Sequence, residues 1–295
     1  MAIHPQFPIS PYEIILPEYR WFPADETLRD TSYEKLIPPL VHTLRKNVFE
    51  WRKNGYPNVS ETTATLLNWW FKENINIDKR EDPFDYYFAQ RESVETIIYL
   101  YENVKVSDKN DLLKFDNLGV INARQIEETW RRFVIKMATG SGKTKVISLL
   151  LVWSYFHKKY ENGSDLSTNF LIIAPNIIVL DRLKNDFDGL RIFNQDPILP
   201  RNGVGHKNWK SDFQISVHIQ DDIGTINPLG NIFLTNIHRV FEQKENLRNE
   251  EDYSLDFFIG EKPNKKGGSD GTDLGKIIRD IDQLLIFNDE AHHIH

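Results

Sequence analysis

Apolar and polar residues alternate with helical spacing in the first part of the chain. Two apolar faces follow one another there: Ile37, Leu40, Val41, Leu44, Val48 and Trp51, then, after residues 58–61, Leu66, Leu67, Trp70 and Phe71. Ahead of them, prolines recur from Pro5 to Pro23 and prevent regular structure over roughly the first 25 residues. The pattern predicts an extended arm and a small helical subdomain. We interpret Trp69 and Trp70 as packing residues rather than base-stacking residues.

From Phe88 onward the pattern changes to strands that alternate with helices. Short apolar strands are predicted at Phe133–Lys136, Phe170–Ala174, Ile232–Leu234 and Leu284–Phe287. Helical faces are predicted from Val94, Ile97, Ile98 and Tyr101, from Val146, Leu149, Leu150 and Trp153, and from Leu180, Leu183 and Phe187. Such alternation is typical of an α/β fold with a mostly parallel central sheet flanked by helices.

A glycine-containing loop, Lys136-Met-Ala-Thr-Gly-Ser-Gly-Lys-Thr144, stands between a predicted strand and a predicted helix. Gly140 and Gly142 would allow backbone N–H groups to approach phosphate oxygens closely, and the positive end of the following helix would face the anion. Lys143 would reach the β and γ phosphates, and the Thr144 hydroxyl would bind Mg²⁺. The loop therefore predicts a nucleotide triphosphate site formed by these residues: Thr139, Gly140, Ser141, Gly142, Lys143 and Thr144.

Two adjacent acids, Asp289 and Glu290, follow the last predicted strand. Nucleotide hydrolysis needs one carboxylate for the magnesium shell and another that orients the attacking water, and Asp289 and Glu290 fit these roles in that order. Taken alone, such a pair is equally compatible with a solvated turn. The histidines at the end, His292, His293 and His295, would suggest a metal site, but the chain has no cysteine and no His-Glu-x-x-His spacing.

Size, charge and cysteine content limit these interpretations only a little. With 295 residues and 40% hydrophobic residues, the chain has room for one or two domains. The formal net charge of -7 means that contacts with nucleic acid must be local. The absence of cysteine excludes disulfides and thiolate zinc sites. No apolar run approaches about 20 residues and the start is unlike a signal peptide, so we expect a soluble, cytoplasmic protein without a membrane segment.

Together, the loop at 137–144 and Asp289-Glu-Ala-His292 resemble the first RecA-like domain of superfamily 2 helicases. Within that superfamily the chain is most similar to the ATP-dependent restriction subunits of type III restriction-modification systems, where methionine at position 137 is familiar; the commonest form of the loop has Gly or Ala there. The resemblance implies a P-loop NTPase with ATP and Mg²⁺ as cofactors. It implies catalytic roles for Lys143, Asp289, Glu290 and His292, and a magnesium ion held largely through water by Thr144 and Asp289.

Three further segments are similar to motifs of the same family. Residues 87–100 look like the segment whose glutamine reads adenine, which implies that role for Gln90. Residues 172–183 resemble motif Ia, and residues 233–239 resemble the threonine-bearing segment after it. In relatives these two segments contact the nucleic-acid backbone, and the matching residues here are Pro175, Asn176, Thr235 and Arg239. A plainer alternative is that Asn176 only caps a helix, and Thr235 and Arg239 carry the same ambiguity.

The resemblance covers about residues 84–295, so we expect a first RecA-like domain there, ending after the acidic box, and an arm with a helical subdomain at 1–83. Relatives hydrolyse ATP between two RecA-like domains, and type III restriction subunits carry a nuclease further along. We therefore expect a fragment that lacks both and hydrolyses ATP slowly or not at all unaided. Double-stranded DNA and a methyltransferase or specificity subunit are the implied partners.

Three functions remain open at this point. The first is a DNA-translocating ATPase from a restriction or related phage-defence system, which would be an endonuclease subunit at full length. The second is a superfamily 2 RNA or DNA helicase without a nuclease. The third is a nucleotide-dependent switch or scaffold, in which the site binds nucleotide without driving movement.

Overall fold

The computed structural model describes residues 10–17, 40–73, 75, 83–116, 119, 132–220, 223–236, 277–278 and 280–289. Contacts divide these residues into two compact units, the first ending at Val146 and the second starting at Ile147. The predicted domain boundary between residues 83 and 84 stays a prediction.

Helices dominate the first unit. They are α1 (Val41–Lys53), α2 (Glu61–Phe71) and α3 (Phe88–Ile98), followed by a π-helix (Tyr99–Asn103) and a 3₁₀-helix (Lys109–Phe115). Ser60 caps the start of α2, since its side-chain oxygen accepts a hydrogen bond from the Thr63 N–H at 3.2 Å. The two helices predicted in the N-terminal part of the chain are thus confirmed for their described residues. Ile37, which was assigned to the first of them, lies outside the described ranges.

Apolar side chains from these helices form the interior of the first unit. Val48, Leu66, Leu67, Val94 and Ile98 are completely buried. Trp69 and Trp70 are also buried, at 5% and 2% exposure, which confirms that they pack inside the protein. Burial of such large rings contributes strongly to stability and leaves no face for a base to stack on.

A parallel four-stranded sheet forms the centre of the second unit. Its strands are β1 (Asn169–Ala174), β2 (Ser216–Ile219), β3 (Asn231–Asn236) and β4 (Leu285–Asn288), in the spatial order β2-β3-β1-β4. All three pairings are parallel. The helices from Lys143 onward are α4 (Lys143–Tyr160), whose residues up to Val146 belong to the first unit, α5 (Ile177–Phe187), α6 (Arg191–Gln195) and α7 (Trp209–Asp212).

The middle of this sheet is buried on both faces. Residues Phe170–Ala174 of β1 are at most 1% exposed, and α5 packs against β1 and β3. Strands that are covered on both faces read as continuous apolar runs, which explains why β1 was visible in the sequence. The predicted α/β fold with parallel strands and flanking helices is confirmed.

The structure corrects two predictions about secondary structure. The prediction of a strand at Phe133–Lys136 is wrong, because residues 132–138 form no strand. Phe133 instead packs against the buried cluster of Leu100, Val106 and Phe115, and Val134 is 80% exposed. Conversely, strand β2 was missed: it has only four residues, and its place depends on hydrogen bonds with β3 rather than on a strong apolar run.

Candidate functional site

The predicted phosphate loop forms a tight turn in the first unit. Gly140 and Gly142 have φ values of +78° and +87°, in the left-handed region that side chains with a Cβ rarely adopt. Ser141 closes the turn onto Ala138, whose carbonyl oxygen accepts bonds from the Ser141 N–H at 3.3 Å and from its hydroxyl at 2.6 Å. Residues 138–140 are exposed, so this turn is open to solvent.

Helix α4 begins immediately after the loop, with Lys143 as its first residue. The Gly142 carbonyl accepts hydrogen bonds from the N–H groups of Lys145 and Val146, at 3.0 and 3.3 Å, and so starts the helical pattern. The N–H groups of a helix's first turn have no intrahelical acceptor, and the helix dipole adds positive charge there. Lys143 and Thr144 therefore stand at the anion-binding end of an 18-residue helix.

Gln90 contacts the phosphate loop directly. It is 7% exposed near the start of α3, where its Oε1 accepts a hydrogen bond from the Tyr87 N–H at 3.1 Å. Its Nε2 donates to the Ser141 carbonyl oxygen at 3.0 Å. A Cβ at Gly142 would overlap Gln90 Nε2, so Gly142 is required both by its own φ angle and by the close approach of the amide. Gln90 and Gly142 were each predicted from the sequence, but their contact was not.

The amide of Gln90 retains hydrogen-bonding capacity toward a ligand. A glutamine side chain has two N–H donors and two acceptor lone pairs. Among the described residues, one donor is used by Ser141 and one lone pair by Tyr87. One donor and one acceptor remain, and that pair is complementary to the N7 acceptor and amino donor of adenine.

In the second unit, candidate residues gather at one edge of the sheet. The carboxyl ends of parallel strands share an edge, and here Pro175 and Asn176 follow β1, Thr235 lies near the end of β3 and Asp289 follows β4. Asp289 is 4% exposed, and its N–H donates to the Ile173 carbonyl oxygen at 3.0 Å. The backbone ladder between β4 and β1 thus holds the aspartate at the position where parallel-sheet enzymes bind ligands.

Arg182 lies beside Asp289 and was not singled out from the sequence. Its Nη2 is 4.0 Å from Asp289 Oδ2, and its side chain is 61% exposed whereas that of Asp289 is 3% exposed. Arg182 belongs to α5 and lies within the motif Ia-like segment, residues 172–183. Its position within that segment was the only sequence signal, because nothing local indicates which strand end it approaches.

The predicted nucleic-acid contacts differ in accessibility. Asn176 is exposed and caps α5, since its Oδ1 accepts a hydrogen bond from the Val179 N–H at 3.0 Å. The capping role is therefore present, and a contact with a nucleic-acid backbone stays a prediction. Thr235 is 2% exposed at the end of β3, and its contact with a nucleic-acid backbone also stays a prediction. Arg239 lies outside the described residues.

Several predicted residues at the end of the chain also lie outside the described ranges. These are Glu290, His292, His293 and His295. Within the described part of the chain, no three His, Cys, Asp or Glu side chains are grouped closely enough to share a metal ion. No helix in that same part is both long and apolar enough to cross a membrane.

A phosphate loop at the start of a helix and a parallel sheet flanked by helices define the class of P-loop NTPases with a RecA-like α/β fold. Comparison with protein families gives the narrower assignment: the model described as type III restriction enzyme, res subunit, matches residues 89–295. The chain belongs to this family and carries its superfamily 2 helicase-like, ATP-binding domain. No curated protein and no solved structure matches the chain.

Proposed function

We propose that the chain is the ATP-binding half of a superfamily 2 DNA translocase from a type III restriction or related phage-defence system. In this proposal the binding and hydrolysis of magnesium-ATP drive movement along double-stranded DNA. The main support is the phosphate loop, in which two left-handed glycines lead directly into Lys143 and Thr144 at the start of α4. Membership of the restriction-subunit family supports DNA rather than RNA as the track.

The assigned residues have the donors and acceptors that ATP and Mg²⁺ need. Lys143 supplies a positive charge for the β and γ phosphates, and the loop amides supply neutral donors. Thr144 and Asp289 supply oxygen ligands of the kind that Mg²⁺ prefers, largely through water. Bound Mg²⁺ would neutralise charge that develops on the phosphate oxygens. Glu290 orients the attacking water and His292 completes the acidic box.

Contacts with DNA are proposed at the motif Ia-like end of α5. Pro175 and Asn176 leave the sheet where α5 begins, and backbone N–H groups at a helix start bind phosphate without reading a base sequence. Such contacts suit a motor that must move along any sequence. A methyltransferase or specificity subunit would then supply recognition of the DNA site.

The decisive experiment compares two lysines in the first turn of α4. Lys143→Ala should reduce the affinity of the 295-residue chain for magnesium-ATP at least about 100-fold, because the charge on the terminal phosphates loses its partner. Lys145→Ala should change that affinity less than about threefold, since Lys145 has no assigned phosphate contact and a charge acting only at a distance has a small, screened effect. Calorimetric titration measures both affinities, and circular dichroism checks that both variants fold.

Equal affinities in wild type and Lys143→Ala would refute the nucleotide site. Turnover separates a motor from a switch: on a motor that contains the complete ATPase site, Glu290→Gln should remove hydrolysis while leaving ATP binding intact. DNA-dependent hydrolysis supports the translocase, and binding without turnover in that protein would support a nucleotide-dependent switch instead.

A further inference from the structure

A buried cluster of charged side chains centres on Glu95, which is completely buried in the first unit. Glu95 Oε1 accepts hydrogen bonds from the Tyr56 hydroxyl at 2.5 Å and from Arg91 Nε at 2.8 Å. Glu95 Oε2 accepts a hydrogen bond from Arg52 Nε at 2.7 Å. One carboxylate therefore holds three donors, and two of them carry a positive charge.

These residues come from parts of the chain that are distant in sequence. Arg52 belongs to the end of α1, Tyr56 to the connection between α1 and α2, and Arg91 and Glu95 to α3. Rings from neighbouring segments cover both guanidinium groups, with Arg52 lying 5.2 Å from the Phe88 ring and Arg91 lying 5.3 Å from the Phe71 ring. The cluster thus links the N-terminal helices to α3 by charge-assisted hydrogen bonds.

The same α3 helix carries Gln90, which contacts the phosphate loop through Ser141. Gln90 lies one residue before Arg91 and five residues before Glu95. A buried ion pair seldom adds net stability over well-packed apolar side chains, but its directional bonds fix relative position. The bonds from Arg52 and Tyr56, which both lie outside α3, oppose sliding and rotation of α3, and these are the movements that would shift the Gln90 amide.

We propose that Arg52, Tyr56 and Glu95 are positioning residues that set the selectivity of the site for adenine through Gln90. The N-terminal helices, residues 41–71, then belong functionally to the nucleotide site, although the family model matches only residues 89–295. This inference rests on the proposed function, in which Gln90 reads the adenine base.

The test measures dissociation constants for magnesium-ATP and magnesium-GTP on the 295-residue chain. Glu95→Gln preserves the shape of the side chain but removes its charge. It should lower the preference for ATP over GTP at least fivefold, and Gln90→Ala should lower that preference by at least as much. The double variant should be no less selective than Gln90→Ala alone, because both changes act through the same amide.

Glu102→Gln provides a matched control in the same unit. Glu102 accepts hydrogen bonds from the Ser60 N–H at 2.6 Å and from the Thr63 hydroxyl, so it also links a distant segment to the α3 region. It lies twelve residues beyond Gln90. If Glu95 acts on Gln90, Glu102→Gln should leave the ATP preference within twofold of wild type, even where it lowers resistance to urea.

The possible results distinguish the positioning role of Glu95 from the proposed function on which it rests. A folded Glu95→Gln variant with wild-type ATP preference, or additive effects of Glu95→Gln and Gln90→Ala, would overturn the inference and leave the proposed function standing. If Glu95→Gln fails to fold, Tyr56→Phe removes a single donor and carries the same test, with unchanged preference again overturning it. ATP binding that does not depend on Lys143 would overturn the proposed function itself.

Discussion

Replacing Gly142 with alanine should damage the phosphate loop much more than the same change at Gly140. Both glycines have left-handed φ angles, +87° and +78°, so alanine is strained at either position by about 1 kcal/mol. The surroundings differ. Nothing lies within 4 Å of a Cβ added at Gly140, whereas a Cβ at Gly142 would overlap Gln90 Nε2.

The overlap sets the size of the predicted effect. Displacing the Gln90 amide breaks its 3.0 Å hydrogen bond to the Ser141 carbonyl oxygen. Loss of that bond costs about 1 kcal/mol, and crowding a packed site costs about 1 kcal/mol more. We therefore expect magnesium-ATP affinity to fall about fivefold for Gly140→Ala and about 100-fold for Gly142→Ala, because each 1.4 kcal/mol corresponds to about tenfold.

Calorimetric titration of the two variants with magnesium-ATP measures the difference. The control repeats both glycine substitutions in a Gln90→Ala background, where the shortened side chain removes the overlap. In that background the difference in magnesium-ATP affinity between the two glycine variants should shrink to less than about fivefold. If Gly140→Ala and Gly142→Ala lose affinity equally, or if the gap persists without the Gln90 side chain, the contact between Gln90 and Gly142 does not shape the loop.

Two other predictions concern stability. Asn176→Ala removes the side-chain cap of α5 and should lower the free energy of unfolding of the second unit by about 1 kcal/mol in a urea titration. Asn176→Asp keeps a capping oxygen and should lower that free energy only slightly. Equal decreases for the two variants would contradict the capping role. Burial raises the pKa of the Tyr86 phenol above its ordinary value, and its hydroxyl has no hydrogen-bond partner among the described residues. The contribution of the Tyr86 phenol to the free energy of unfolding is therefore constant below pH about 10, and it falls as the pH rises from there toward the raised pKa. Tyr86→Phe should increase the free energy of unfolding by about 1 kcal/mol at neutral pH and reduce the alkaline loss, whereas a destabilised variant would show that the hydroxyl has a partner.

Local signals made a large part of the fold predictable. The glycines at 140 and 142, followed by apolar residues at helical spacing, mark the turn and the start of α4. Strand β1 is a continuous apolar run because both of its faces are buried. Asn176 before Ile177 marked the start of α5, and the structure shows the cap.

Features that depend on distant partners could not be predicted in this way. Strand β2 exists through its ladder with β3, and Phe133 packs into a helical cluster although its neighbours look like a strand. The contact from Gln90 to Ser141 joins residues 51 positions apart, and that from Arg52 to Glu95 joins residues 43 positions apart. The spacing of Arg91 and Glu95 was compatible with an ordinary surface pair along a helix. Their burial depends on helices whose packing has no signature in the local sequence.

In the proposed function, the loop at residues 139–144 holds magnesium-ATP. Hydrogen exchange of the 295-residue chain, with and without Mg²⁺ and a non-hydrolysable ATP analogue, tests this binding, because the phosphates would engage the backbone N–H groups of that loop. We predict slower exchange in peptides covering Thr139–Thr144 and the start of α4, and no such change in Lys143→Ala at the same ligand concentration. Saturating nucleotide that leaves exchange in these peptides unchanged, or that slows it only elsewhere in the chain, would contradict the claim.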